Sequence, residues 1–101
     1  MMRLPKTIQI MGVTYRILVV PDRRIKDCWG EVDIGGATIR LARSLSSDRR
    51  LSVLLHEILH VLFEYAQPGL TSREEEKLVN RLESLAFSFL RENKFLERRK
   101  S

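Results

Sequence analysis

Residues 51–65, LSVLLHEILHVLFEY, do most to limit what this chain can become. Wound as a helix, the run is apolar on nearly every side, yet it carries both histidines of the protein, His56 and His60. A helix with so little polar surface belongs at the centre of a fold. At 3.6 residues per turn, Ser52, His56, Glu57, His60 and Glu64 share one narrow stripe, and leucines, Ile58, Val61 and Phe63 cover the rest. Burying two imidazoles and a carboxylate there costs on the order of several kcal/mol unless each has a partner. The spacing H-E-x-x-H supplies one. Residues four apart lie on one face, so His56 and His60 reach a single zinc ion, and Glu57 falls beside it as a general base for metal-bound water. Glu64, at the helix end, reads as a solvated residue and not as a ligand.

The rest of the chain divides around that helix. Residues 6–20, KTIQIMGVTYRILVV, read as two strands meeting near Gly12. Pro21-Asp22 opens a polar loop, and residues 29–34 and 37–41 form a second strand pair across Gly35-Gly36, where glycine accepts the positive φ of a tight turn. Any of Ser46, Ser47 or Asp48 can cap a helix over about 48–65, which Gln67-Pro68-Gly69 terminates. Thr71-Ser72-Arg73-Glu74 matches a capping box and starts a second helix over about 72–93, ending at Asn93 as a left-handed cap. Its apolar face runs through Leu78, Val79, Leu82, Leu85, Ala86, Phe89 and Leu90. Strands over about 6–42 followed by two helices predict an α+β domain, a small antiparallel sheet of about four strands with two antiparallel helices. The strand at 37–41 is the expected sheet edge.

Catalytic zinc takes three protein ligands and leaves one position for water. With no third histidine and a single cysteine, the third ligand is expected to be a carboxylate of the second helix. Cys28 has no motif around it and reads as a reduced structural thiol. Helical projection puts Glu75 nearest the centre of the apolar face, with Glu76 and Glu83 on its flanks, and leaves all three open.

The segments WGEVDIGGATIRL, LLHEILHVLF and EKLVNRLESLAFSFLREN, spanning residues 30–93 and the adjoining Trp29, resemble the small phage and prophage metallopeptidases related to the ImmA/IrrE-type zincin family. The resemblance covers about two-thirds of the chain and implies a minimal zincin core that hydrolyses peptide bonds in a protein substrate. In such proteins the third ligand is a Glu followed four residues later by Asp or Asn. Glu76 with Asn80 fits that spacing, so the resemblance selects Glu76 as ligand, keeps Glu75 as runner-up, and gives Asn80 the task of orienting a ligand histidine. It also implies an extended substrate along the sheet edge. Tyr15, Tyr65 and nearby arginines are the candidates for steadying the oxyanion. Fifteen residues separate His60 from Glu76, fewer than in larger relatives, and no helix-turn-helix segment accompanies the core.

Composition bears on the alternatives. A chain of 101 residues holds one domain, and 44% hydrophobic with 31% charged residues fits a soluble globular protein. No run approaches the roughly 18–20 apolar residues of a membrane span, and MMRLPKTIQI lacks a secretory layout, so the cytoplasm is the expected compartment and no membrane partner is expected. The net charge of +5 gathers at Arg23, Arg24 and Lys26 and at Arg98, Arg99 and Lys100. Such runs read as solvated surface and a frayed tail. A non-catalytic zinc-bound interaction module and a basic nucleic-acid-associated protein are the competing functional classes. Trp29 reads as a core or rim anchor.

Overall fold

The computed structural model describes residues 4–25 and 29–93. Cys28, Lys26 and the basic C-terminal tail, about which the sequence raised expectations, lie outside the described residues. Four strands, β1 (Thr7–Ile10), β2 (Val13–Val20), β3 (Gly30–Asp33) and β4 (Thr38–Ala42), precede two helices, α1 (Ser47–Ala66) and α2 (Ser72–Glu92). The α+β class is as expected.

The sheet differs from expectation in one connection. Its order is β1-β2-β4-β3, and β2 pairs with β4 in parallel, so the sheet is mixed and not wholly antiparallel. The strand expected at the edge is therefore an inner one, and the edges are β1 and β3. The burial of β4 explains its place. Thr38, Ile39, Leu41 and Ala42 are all buried although successive side chains point to opposite faces. A strand covered on both faces belongs inside a sheet. Only Arg40 reaches outward, to pair with Glu31 directly across β3 at 3.3 Å.

Both hairpin turns fall where the sequence placed them. Met11 and Gly12, with φ of 50° and 81°, join β1 to β2 in a two-residue turn. In the second turn the positive φ belongs to Ala37, at 49°, and to neither glycine of the Gly-Gly pair. Gly36 is needed for space: its amide donates to Asp33 Oδ1 at 3.0 Å, and a Cβ there would stand 2.5 Å from Asp33 Oδ2. Ala37 is held in its unfavourable conformation by backbone bonds on both sides, donating to the Ile34 carbonyl and accepting from the Arg16 amide.

Helix α1 lies across β3 and β4. Its Val53, Leu54 and Val61 enter a core formed with Tyr15, Ile17, Ile39 and Leu41. Gly30 permits the close approach, since a Cβ there would fall 2.5 Å from Val53 Cγ1. Ser46 caps α1 by accepting from the Arg49 amide, and Gln67 closes it before Pro68. Helix α2 opens on the expected capping box between Thr71 and Glu74. Its end departs from expectation. Asn93 has φ −99°, outside the left-handed region, and both its amide and its side-chain Nδ2 donate to the Phe89 carbonyl. The side chain thus adds a second donor to a carbonyl of the final turn, with no left-handed residue at this position.

The two helices are antiparallel, with Arg91 of α2 3.5 Å from Asp48 at the start of α1. The face that α2 turns inward is not its most apolar one. Glu75, Val79, Glu83, Ala86 and Leu90 are buried or half-buried, whereas Leu78, Leu82, Leu85 and Phe89, one residue round the helix, stay exposed. No helix among the described residues is long and apolar enough to cross a membrane.

Candidate metal centre

The polar stripe of α1 faces the polar stripe of α2. His56 and His60 stand with ring centroids 4.9 Å apart and their planes at 68°. Four contacts join them to α2. His56 Nδ1 lies 2.9 Å from Glu83 Oε1, and His60 Nδ1 lies 2.6 Å from Glu75 Oε2. On the opposite edges of the rings, His56 Nε2 is 3.2 Å and His60 Nε2 2.9 Å from the two oxygens of Glu76. Ser52, one turn before His56, donates its hydroxyl to Glu83 Oε2.

Every nitrogen of both imidazoles therefore faces a carboxylate oxygen. An ionised carboxylate has no proton to give, so each short contact requires a hydrogen or a cation between the atoms. Protons on Nδ1 account for the contacts to Glu83 and Glu75. At Nε2 two arrangements answer the contacts to Glu76: a doubly protonated ring donates to the carboxylate, and a neutral ring shares a cation with it. The carboxyl groups of Glu57, Glu75, Glu76 and Glu83 outnumber the two imidazoles, which makes the group a favourable place for a cation.

The spacing suits a metal. The ligand atoms of His56, His60 and Glu76 lie within 4.8 Å of one another. Nitrogen and oxygen ligands placed tetrahedrally at about 2.0–2.1 Å from zinc stand about 3.3 Å apart; the 3.2 and 2.9 Å contacts of the rings are of that order but reach the two different oxygens of Glu76. Glu76 is half exposed, while the side chains of Glu75 and Glu83 are only 19% and 21% exposed. The outer carboxylates are thus the better shielded ones, as befits groups that orient rings.

Glu57 is buried at 6% exposure beside this group. Its burial pushes the carboxyl pKa up; His56 and His60 pull it back, and Glu76 and Glu31 add to the rise. Burial alone would lower the pKa of His60, but the hydrogen bond with Glu75 and the charges of Glu57 and Glu76 outweigh it and raise the value overall. A carboxylate poised above its ordinary range is better able to take a proton near neutral pH.

A cleft of about 410 Å³ opens at this point, lined by His56, Glu57, Glu83, Trp29, Gly30, Arg49, Val53 and Asn80. The sequence readings fall on both sides of it. His56, Glu57, His60, Glu76 and Glu75 come together, and Trp29, 52% exposed, stands in the cleft wall as a rim residue. Asn80 lines the cleft but makes no hydrogen bond to either histidine among the described residues; the expected orienting contact is made by Glu83. Tyr15 is in the core with 1% exposure, its hydroxyl pKa pushed up by burial and then by Tyr65, so it has no access to the cleft. Glu64 is exposed and makes no contact with either ring among the described residues, in keeping with its place near the helix end. Glu83 was legible only as a flanking residue, although its position eight residues after Glu75 puts both on one stripe of the helix. No protein-family model, curated protein or solved structure matches this chain.

Proposed function

We propose that this chain is a zinc-dependent peptidase, a minimal zincin core of the ImmA/IrrE type acting on a protein or peptide substrate. One observation carries the reading: the Nε2 atoms of His56 and His60 converge on Glu76 while other carboxylates occupy both Nδ1 atoms. In this arrangement His56, His60 and Glu76 would hold the metal, and Glu83 and Glu75 would fix the rings in the tautomer that frees Nε2. The chemistry supplied there when zinc is bound would be Lewis acidity toward water and a carbonyl oxygen. Glu57, buried beside these residues and lining the cleft, would accept a proton from the attacking water and return it to the leaving amine. A peptide lying extended beside β3, the edge strand that begins at Gly30 in the cleft wall, would present its carbonyl to the site.

The test has two parts. Protein purified without chelator should contain one zinc per chain by elemental analysis, and a metal-free preparation that cannot be reloaded overturns the reading. Glu57→Gln should keep the metal and slow hydrolysis of an unfolded protein substrate by roughly 10²–10⁴-fold. Cleavage at the parent rate by that variant removes Glu57 from its role. Glu76→Ala should release zinc far more readily than Glu75→Ala, and the reverse order would exchange their assignments.

A further inference from the structure

Among the described residues, Arg49 is the only Lys or Arg lining the cleft. Its backbone amide is used by the Ser46 cap, but its guanidinium makes no hydrogen bond or ion pair among the described residues. Asp48, beside it in sequence, pairs instead with Arg91. The cleft is therefore polarised. Glu57 and Glu83 stand beside His56, and the Arg49 guanidinium stands two turns earlier along α1.

The spacing of the two ends follows from the helix. Arg49 precedes His56 by seven residues, which brings it back to nearly the same face about 10 Å along the axis. An extended peptide advances about 3.3 Å per residue, so that distance spans roughly three residues. Val53, one turn from Arg49, and the half-exposed ring of Trp29 form an apolar stretch of wall between the ends.

We infer that Arg49 selects peptides bearing a carboxylate two to four residues from the bond held at the His56–His60–Glu76 group, with an apolar residue between. This inference rests on the cleft being a peptide site, as proposed above. Its readout does not depend on turnover, because Trp29 is the only tryptophan of the chain and lies in the cleft wall, so its fluorescence reports occupancy.

The experiment uses the full chain and blocked leucine–alanine hexapeptides with one Glu placed at each position in turn, each matched by its Gln counterpart. An unblocked peptide with a free C-terminal carboxylate forms a separate arm. One Glu position should bind about tenfold more tightly than its Gln counterpart, as a charge-assisted bidentate contact implies. Arg49→Ala should abolish the difference, and Arg49→Glu should transfer the preference to a lysine peptide. If the free C-terminus and no internal Glu is favoured, the carboxylate recognised is terminal, and the inference holds in that form. Equal affinity for Glu and Gln peptides overturns it, as does a preference that survives in Arg49→Ala or the lack of any response of Trp29 to millimolar peptide. Mass spectrometry of the same mixtures reads cleavage independently: binding with the stated preference but without hydrolysis sinks the peptidase reading and leaves the role of Arg49 standing.

Discussion

On the proposed zinc reading, removing the carboxylate of Glu83 should weaken metal binding without removing a ligand. In the structure His56 Nδ1 is held 2.9 Å from Glu83 Oε1, and the other carboxylate oxygen accepts from Ser52. Glu83→Ala leaves the imidazole free to rotate and to exchange tautomers, so a bound metal must first select the correct state. Losses of 10–100-fold in metal affinity are usual for such outer contacts. The Glu83 side chain is 21% exposed, so solvent replaces it poorly, which favours the middle of that range: about 30-fold, or about 2 kcal/mol. Glu83→Gln retains an acceptor but loses the charge and should cost about fivefold, since charge-assisted hydrogen bonds are about twice as strong as neutral ones, leaving about half of the 2 kcal/mol. Competition with a chromophoric zinc chelator measures the affinities, and thermal melting of the metal-free proteins separates them from a loss of helix packing. Ser52→Ala is the control, because it disturbs the Glu83 contact with α1 but not the contact with His56. The reasoning is refuted if Glu83→Ala binds zinc within twofold of the parent, or if Ser52→Ala loses as much as Glu83→Ala.

Other expectations concern packing and pH. Val79, fully buried between the helices, should cost about 2 kcal/mol as Val79→Ala, whereas Leu85→Gln, at a site 66% exposed, should change stability by less than about 0.5 kcal/mol in chemical denaturation. Gly30→Ala should destabilise by about 1–3 kcal/mol because its Cβ meets Val53 Cγ1 at 2.5 Å, and Val53→Ala in the same chain should recover part of the loss. Asp22 and Glu74 have carboxyl pKa values lowered chiefly by hydrogen bonds, from Ser44 and from Thr71 respectively. A lowered folded-state pKa gives stability that is present above the unfolded value and fades as pH falls through the folded one. Melting curves of Asp22→Asn should therefore converge on the parent's below about pH 4 and separate from them at neutral pH; a constant gap across that range contradicts the linkage.

Much of the site was legible because its signal is local. His56, Glu57 and His60 lie within one and a half turns of a helix whose apolar surroundings mark it as buried, and the Thr71–Glu74 capping box sets the phase of the next helix. The strand order was not legible in this way. Residues 37–41 were the expected edge strand, and the burial of both faces of β4 goes with its actual place between β2 and β3. The turn at Gly35-Gly36 misled for a related reason. A glycine pair suggests positive φ, yet Gly36 is there to admit the Asp33 carboxylate, and Ala37 takes the strained conformation under the hold of two backbone bonds.

The roll of α2 was the hardest feature to foresee, and it has a physical cause. A hydrophobicity argument turns Leu78, Leu82, Leu85 and Phe89 toward α1, yet the helix presents Glu75, Val79 and Glu83 instead. The choice is between apolar area left in water and polar atoms left unpaired. Four partly exposed apolar side chains forgo about 25 cal/mol for each Å² that a different roll would have covered. Half-buried imidazoles without partners on Nδ1 and Nε2 cost roughly 1–3 kcal/mol apiece, and more where charge is involved. The contacts at 2.6–3.2 Å answer all four ring nitrogens at once, and Val79 still supplies a buried apolar contact at the centre. The apolar pattern of α2 reports where its leucines cluster, whereas the roll is set by the histidines of α1, so that Glu75, Glu76 and Glu83 all reach the rings of His56 and His60.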